Sequence, residues 1–137
     1  MTDLVIRGKV SQFGGPDDVG VAADEGLALF ELMDIRPMDT RLFLVDQPAG
    51  TTGLARRLDP QALYVACRWD YDQTSREWLR DCEATVINPK TQLQALARPV
   101  DWGPSADTGR AADLSPGLAA ALGLETGDEC VVTVPLP

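Results

Sequence analysis

Only one segment of this 137-residue chain carries helix signals at both ends. In SPGLAAALG, Ser115 suits the N-cap, Pro116 the first helical position and Gly123 the left-handed position after the last turn. Elsewhere glycine and proline divide the chain into short runs too brief for long helices. Val5 to Phe13 alternates weakly and is expected to be a strand, ended by the Gly14–Asp18 loop GGPDD, which no ladder can hold. Glu25–Met33 fits a strand and a short helix equally. Thr40–Pro48 is expected to be a strand and turn, and Gly50–Pro60 an exposed loop. Ala62–Asp72, ALYVACRWDYD, is rich in β-branched and aromatic residues and is expected to be a strand. Gln73–Cys82 suits one helical turn or a connecting loop. Glu83–Pro104 gives two strands joined at NPKT, and ETGDECVVTVP a tight turn and a last strand. The fold class expected is therefore mainly β, a six-stranded barrel with one or two short helices rather than a sandwich. The length fits a single domain over 1–137, and a 45% hydrophobic content can fill its core.

The chain has no histidine. That removes Ser-His-Asp and Cys-His nucleophile systems and histidine-bearing zinc sites, leaving Asp, Glu, Tyr, Lys or Cys for acid–base work. Cys67, Cys82 and Cys130 are odd in number and widely spaced, which fits buried thiols; a Cys67–Cys82 bridge across a hairpin is the alternative. No calcium-loop spacing is present, and neither GLETGDE nor GGPDDVG has the spacing of a phosphate-cradling loop, so no metal or cofactor is expected. Twenty-one carboxylates against twelve bases give a net charge of −9. This disfavours nucleic acid and anionic membrane surfaces and tolerates a neutral or basic ligand such as a polysaccharide. No apolar stretch approaches the ~20 residues needed to cross a bilayer. The opening MTDLVIRGKVSQFGG lacks the pattern of a signal peptide. A cytoplasmic location is the default, with export by an unmarked route or phage carriage as the alternative.

The stretch PVDWGPSADTGRAADLSPGLAAALGL, Pro99–Leu124, concentrates the chemistry. Asp101 follows an apolar strand end and precedes the rigid turn Trp102-Gly103-Pro104. An adjacent indole can desolvate that carboxyl or stack on a sugar. Apolar surroundings that raise a carboxyl pKa are how a glycosidase keeps its acid protonated. Asp113, two residues before the helix cap, suits loop bracing with Arg110 as well as chemistry.

From Pro99 to Pro135 the chain resembles the closing half of double-psi β-barrel domains of the rare lipoprotein A, expansin and endoglucanase-45 superfamily. The shared features are an Asp-x-Gly-Pro turn, a Gly-Arg-x-x-Asp-Leu-Ser segment, a short helix ending in Leu-Gly and a valine-rich last strand. GKVSQFGGPDDVGVAADEGLAL resembles a looser version of the family's glycine-rich start. The resemblance implies a double-psi barrel acting on β-linked glycans, peptidoglycan in one branch and cellulose in another, with Asp101 in the groove and Asp113 at the Asp-Leu-Ser position. The lytic-transglycosylase branch uses a histidine that this chain lacks. Asp70 and Asp72, flanked by Trp69 and Tyr71, are the substitutes to consider, with Asp17 and Asp18 of the GGPDD loop as further ones.

Three functions are compatible with these residues. A glycan-cleaving enzyme would use Asp101 as general acid and Asp70 or Asp18 as base, acting on peptidoglycan or a related polysaccharide. A non-catalytic, expansin-like module would bind glycan on Trp69, Tyr71 and Trp102, with Arg110 and Asp113 beside them. A protein-interaction module would keep only the fold.

Overall fold

The computed structural model describes residues 2–137 and contains a closed barrel of six strands. These are β1 (Asp3–Gln12), β2 (Tyr64–Cys67), β3 (Ala84–Ile87), β4 (Gln94–Trp102), β5 (Arg110–Leu114) and β6 (Glu129–Pro135). Around the barrel they run β1-β5-β2-β4-β3-β6. Pairs β1–β5 and β2–β4 are parallel and the remaining four antiparallel. Three short helices, α1 (Leu54–Arg57), α2 (Arg76–Asp81) and α3 (Pro116–Leu122), accompany three 3-10 turns. This mixed topology is compatible with a double-psi barrel.

The barrel consists of two interlocked halves, β1–β2–α2–β3 and β4–β5–α3–β6. Exchanging β1 with β4, β2 with β5 and β3 with β6 leaves the strand order unchanged. The exchange holds at residue level. The pair Ile6–Val132 maps onto Leu96–Thr85, and Ser11–Asp113 maps onto Asp101–Ala66. Both parallel pairs are bulged, at Lys9/Val10 against β5 and at Val65/Ala66 against β4. Bulges re-aim side chains where regular pairing ends. Alternation turns Val10, Val65, Cys67, Val100, Ala112 and Leu114 into the core. It turns Ser11, Ala66, Asp101 and Asp113 to the outer face.

The helix at 116–122 forms as the sequence dictates. Ser115 Oγ accepts the Leu118 N–H at 3.1 Å, Pro116 opens the helix, and Gly123 closes it at φ 65°. Leu118 and Leu122 are buried against the barrel, each stabilising the fold by roughly 1.5–3 kcal/mol. The hairpin over 83–104 also matches, with Asn88 fixing the NPKT turn by accepting the Lys90 N–H at 3.0 Å.

Between β1 and β2 the expected strand over 40–48 is absent. Pro37–Leu42 is a 3-10 turn, and Phe43 makes a single bridge to Leu58. The reason is tertiary. Leu42 and Phe43 are both buried, and the Phe43 ring meets Phe30 edge-on at 6.0 Å, so these residues do not alternate. The 50–60 segment holds α1, whose Leu54 and Ala55 are buried, rather than an open loop. The Arg57 guanidinium clamps the segment by donating to the carbonyls of Leu44 and Val45. Strand β2 ends at Cys67, short of the Trp69–Asp72 positions expected to extend it. The chain there turns so that the Asp70 carbonyl accepts the N–H groups of Gln73 and Thr74. All three cysteines are buried and unpaired. Among the described residues, no helix is long and apolar enough to cross a membrane.

The long connection is fixed to the barrel by Asp39, a carboxylate with 0% exposure. It accepts from Arg36 Nε at 3.0 Å, from the Arg36 backbone N–H at 3.0 Å, and from Arg98 of β4 at 2.7 Å. Burial alone would push this carboxyl up, but the guanidinium groups of Arg36 and Arg98 outweigh it and hold it below the ordinary value. Such a group contributes stability that is present above the unfolded pKa of about 3.9 and lost as acid carries the pH down through the lower folded value. Asp39→Asn should therefore destabilise the fold by about 3 kcal/mol at neutral pH, since it leaves Arg98 without a carboxylate partner and Arg36 with Asp81 alone. Urea denaturation at pH 7 and again in acid measures this, and the gap between variant and wild type should narrow in acid.

Candidate functional site

One outer face of the barrel carries a groove of about 410 Å³. Asp113 of β5 and Asp101 of β4 form its floor, in register with Ala66 of β2 between them and with Ser11 of β1 beside Asp113. One wall is the chain from Phe13 to Glu25, and the other is the turn Trp102–Ser105.

Asp101 is the penultimate residue of β4 and is held through one carboxyl oxygen. Its Oδ1 accepts the N–H of Ala28 at 2.8 Å and of Trp102 at 2.9 Å. Among the described residues, Oδ2 accepts no hydrogen bond. A carboxyl arranged this way suits protonation. The carbonyl-like oxygen receives the donors, and the other oxygen can carry the proton. Burial pushes the Asp101 carboxyl above its ordinary value, against the pull of the two N–H groups, and the charges of Glu25 and Asp113 push the same way.

Asp113 lies within β5, a strand where a bracing loop before the helix is expected from the sequence. Its alanine neighbours carry little β signal, and only pairing to β1 and β2 makes the segment extended. Its Oδ1 accepts the Ser11 hydroxyl at 2.8 Å. Burial again raises this carboxyl; Ser11 and Arg110 pull it down, and Asp18 pushes it up. It forms no ion pair with Arg110, and the N-terminus of α3 is capped by Ser115 instead.

Asp18 lines the same groove, with both carboxylate oxygens engaged by backbone donors, Gly14 N–H at 2.7 Å and Gly20 N–H at 3.0 Å. Arg56 fixes the outside of that loop by donating to the carbonyls of Asp18 and Val21. Arg68 fixes the opposite wall, donating to Pro104 at 2.6 Å and Arg110 at 2.7 Å. Gly53 allows the wall to approach α1, since a Cβ there would lie 2.1 Å from the Glu25 carbonyl oxygen.

The indoles divide their work. Trp102 is 43% exposed at the groove rim, and its Nε1–H donates to the Trp69 carbonyl at 3.0 Å. Trp69 is only 3% exposed, and its Nε1–H donates to the Asp101 carbonyl at 2.9 Å. Trp69 therefore braces the strand end behind Asp101 rather than offering a face to ligand. Tyr71 is half-buried under the Arg76 guanidinium, 5.0 Å from its ring centre, and is not part of the groove. Asp70 also lies away from it, exposed in a turn. Its carboxylate accepts from the Gln73 side chain and the Asp72 N–H, which hold it below its ordinary value. Arg110 is exposed beside Asp113.

The structure thus brings together Asp101, Asp113, Asp18 and Trp102, and sets Asp70, Tyr71 and Trp69 outside the groove. Glu25 lines it and Ser11 orients one of its carboxylates, and neither is singled out by the sequence. The Ser11–Asp113 contact joins residues 102 positions apart, so no local pattern reports it. Among the described residues, no group of three or more Cys, Asp or Glu side chains is placed to hold a metal ion.

No protein-family model matches this chain, and no curated protein matches it. The groove's chemistry is therefore read from its own residues. Both floor carboxyls should titrate above the ordinary aspartate value of about 3.9, followed by the side-chain carboxyl carbons in NMR. A raised folded pKa means the fold is favoured at low pH and loses that contribution as pH rises through the folded value. Asp101→Asn keeps an acceptor for Ala28 and Trp102 while removing the charge. Its melting temperature at pH 7 is expected to equal or exceed that of the wild type.

Proposed function

We propose that the groove is a glycan-cleaving site acting on peptidoglycan or a related β-linked polysaccharide, with Asp101 as general acid. The observation that carries this reading is the placement of Asp101 and Asp113 on one row of the groove floor, separated only by Ala66 on the strand between them. Two strand spacings of ~4.8 Å set their Cα atoms roughly 10 Å apart. That leaves room for carboxyl groups in the ~6.5–9.5 Å range used when one acid protonates the leaving oxygen and another carboxylate activates water from the opposite face. Asp113 takes the second role in place of Asp70, which lies outside the groove. Hydrolysis would then invert the anomeric centre. A lytic transglycosylase would need only Asp101.

The order of chemical steps follows from the groups present. Trp102 at the rim stacks on a pyranose ring. Asp101, whose carboxyl burial raises above its ordinary value, donates a proton from Oδ2 to the glycosidic oxygen as the bond breaks. Asp113, oriented by Ser11, takes a proton from the incoming water. Support for the double-psi superfamily comes from the Asp-Trp-Gly-Pro turn and Gly-Arg-x-x-Asp-Leu-Ser segment, which here form one groove wall and one floor strand of a closed six-stranded barrel.

A second reading, a binding module without cleavage, is favoured by the exposed Trp102 indole, which serves recognition with or without chemistry. One experiment separates the two. Purified protein is incubated with peptidoglycan sacculi and with β-1,4-glucan, and soluble fragments are read by mass spectrometry. Cleavage predicts reducing-ended fragments from hydrolysis, or anhydro-ended ones from transglycosylation. Asp101→Asn and Asp113→Asn should each lower hydrolysis by about 10²–10⁴-fold without releasing the protein from the polymer. Co-sedimentation without release, unaltered by either substitution, would establish the binding module. Trp102→Ala should weaken sedimentation in either case.

A further inference from the structure

The groove lining holds four carboxylates, Asp18, Glu25, Asp101 and Asp113, and no lysine or arginine. The nearest arginines are held elsewhere. Arg56 is turned to the carbonyls of Asp18 and Val21, and Arg68 to those of Pro104 and Arg110. Arg110 is the one cation beside Asp113, exposed outside the lining.

The four carboxylates are not equivalent. Asp18 has both oxygens engaged by backbone N–H groups, Asp113 is bound by Ser11, and Asp101 by Ala28 and Trp102. Glu25 alone is exposed and accepts no hydrogen bond or ion pair through its side chain among the described residues. Its backbone is fixed, since its carbonyl accepts the Ala55 N–H at 3.1 Å and presses against Gly53. It acts electrostatically on Asp101 across the groove. A fixed backbone carrying a free carboxylate, at the wall of a groove without cations, is a partner for a positive group on the ligand.

Resting on the glycan reading above, we infer that the groove selects glycans by charge, preferring units with a free amine such as de-N-acetylated glucosamine, with Glu25 as the specificity-determining residue. An ammonium on a sugar bound beside Trp102 is attracted by Glu25 and by the acidic floor. A uronic acid or a lactyl carboxylate in the same place meets the Glu25 carboxylate and an acidic lining that holds no cation. A neutral glucan gains the stacking and loses nothing. Like-charge juxtaposition is a means of rejecting the wrong partner.

Three β-1,4-linked hexamers that differ in charge test this: glucosamine, glucose and glucuronic acid. Their affinities are measured by calorimetry at mildly acid pH, where the sugar amines are protonated. The glucosamine hexamer should bind about five- to tenfold more tightly than the glucose hexamer, and the glucuronic acid hexamer should not bind. Raising salt from about 20 to about 200 mM should erode the glucosamine preference, because the screening length falls to about 7 Å. Glu25→Gln, an exposed and isosteric change, should collapse the glucosamine-to-glucose ratio toward one, and Glu25→Lys should reverse it.

Glucose bound as tightly as glucosamine, binding of the glucuronic acid hexamer, or a ratio untouched by Glu25→Gln would each overturn charge selection and leave the glycan reading standing. Failure of all three hexamers to bind, together with no release from and no sedimentation with sacculi or glucan, would overturn the glycan reading and this inference with it.

Discussion

A carboxylate sealed from water between two guanidinium groups decides where the largest irregular part of this molecule lies. Asp39 belongs to a 3-10 turn in the long connection between β1 and β2, and one of its partners, Arg98, belongs to β4. The Arg36 and Arg98 guanidinium groups both reach the Arg80 carbonyl in α2 as well. Three elements distant in sequence are therefore locked at one point. A buried charge tolerates no loose geometry, because any displacement exposes it to low dielectric without a partner. The loop that this point anchors returns through Ala28, whose N–H is one of the two donors on Asp101. Arg80, whose carbonyl both guanidinium groups reach, donates to the neighbouring Leu29 carbonyl at 2.8 Å and so ties that stretch to the ion cluster.

The site itself runs against stability. Asp101 and Asp113 are each partly removed from water without a cation in contact, and their fields and those of Asp18 and Glu25 reinforce one another. A fold optimised only for stability would place amides or apolar groups there. The contrast with Asp39 is informative. Both situations bury carboxyl groups, but one has guanidinium partners that hold it below its ordinary value, and the other has only N–H and O–H donors in contact and is raised by burial.

How much of this was legible in the sequence depends on how local each signal is. The helix at 116–122 was readable because its cap, its proline and its terminal glycine all sit within nine residues. The hairpin at NPKT and the first and last strands followed from turn chemistry and alternation. Asp101 was readable because a strand end and a Pro-fixed turn surround it. Strand β5 was not, since Arg-Ala-Ala-Asp-Leu has no intrinsic preference and becomes extended only through its neighbours β1 and β2. The 25–60 region failed for the opposite reason. Its apolar residues are plentiful, but they meet one another across separate turns, as Phe30 meets Phe43, so their spacing follows no period. The aromatic run around Trp69 read as a continuing strand because sequence does not show where the partner strands diverge.

The exchange of halves within the barrel bears on how the chain reaches this state. Strand β1 is hydrogen-bonded on both sides to strands from the other half, β5 and β6, and β2 likewise lies between β4 and β5. A ribosome that has delivered the first ninety residues has delivered no complete barrel edge, only strands whose partners do not yet exist. Pairing of this kind requires wide loops to close before any ladder forms, which slows folding. The first half therefore stays largely unpaired until β4 and β5 follow it; the groove, with Asp101 on β4 and Asp113 on β5, takes shape only when those strands insert, and β6 then closes the barrel.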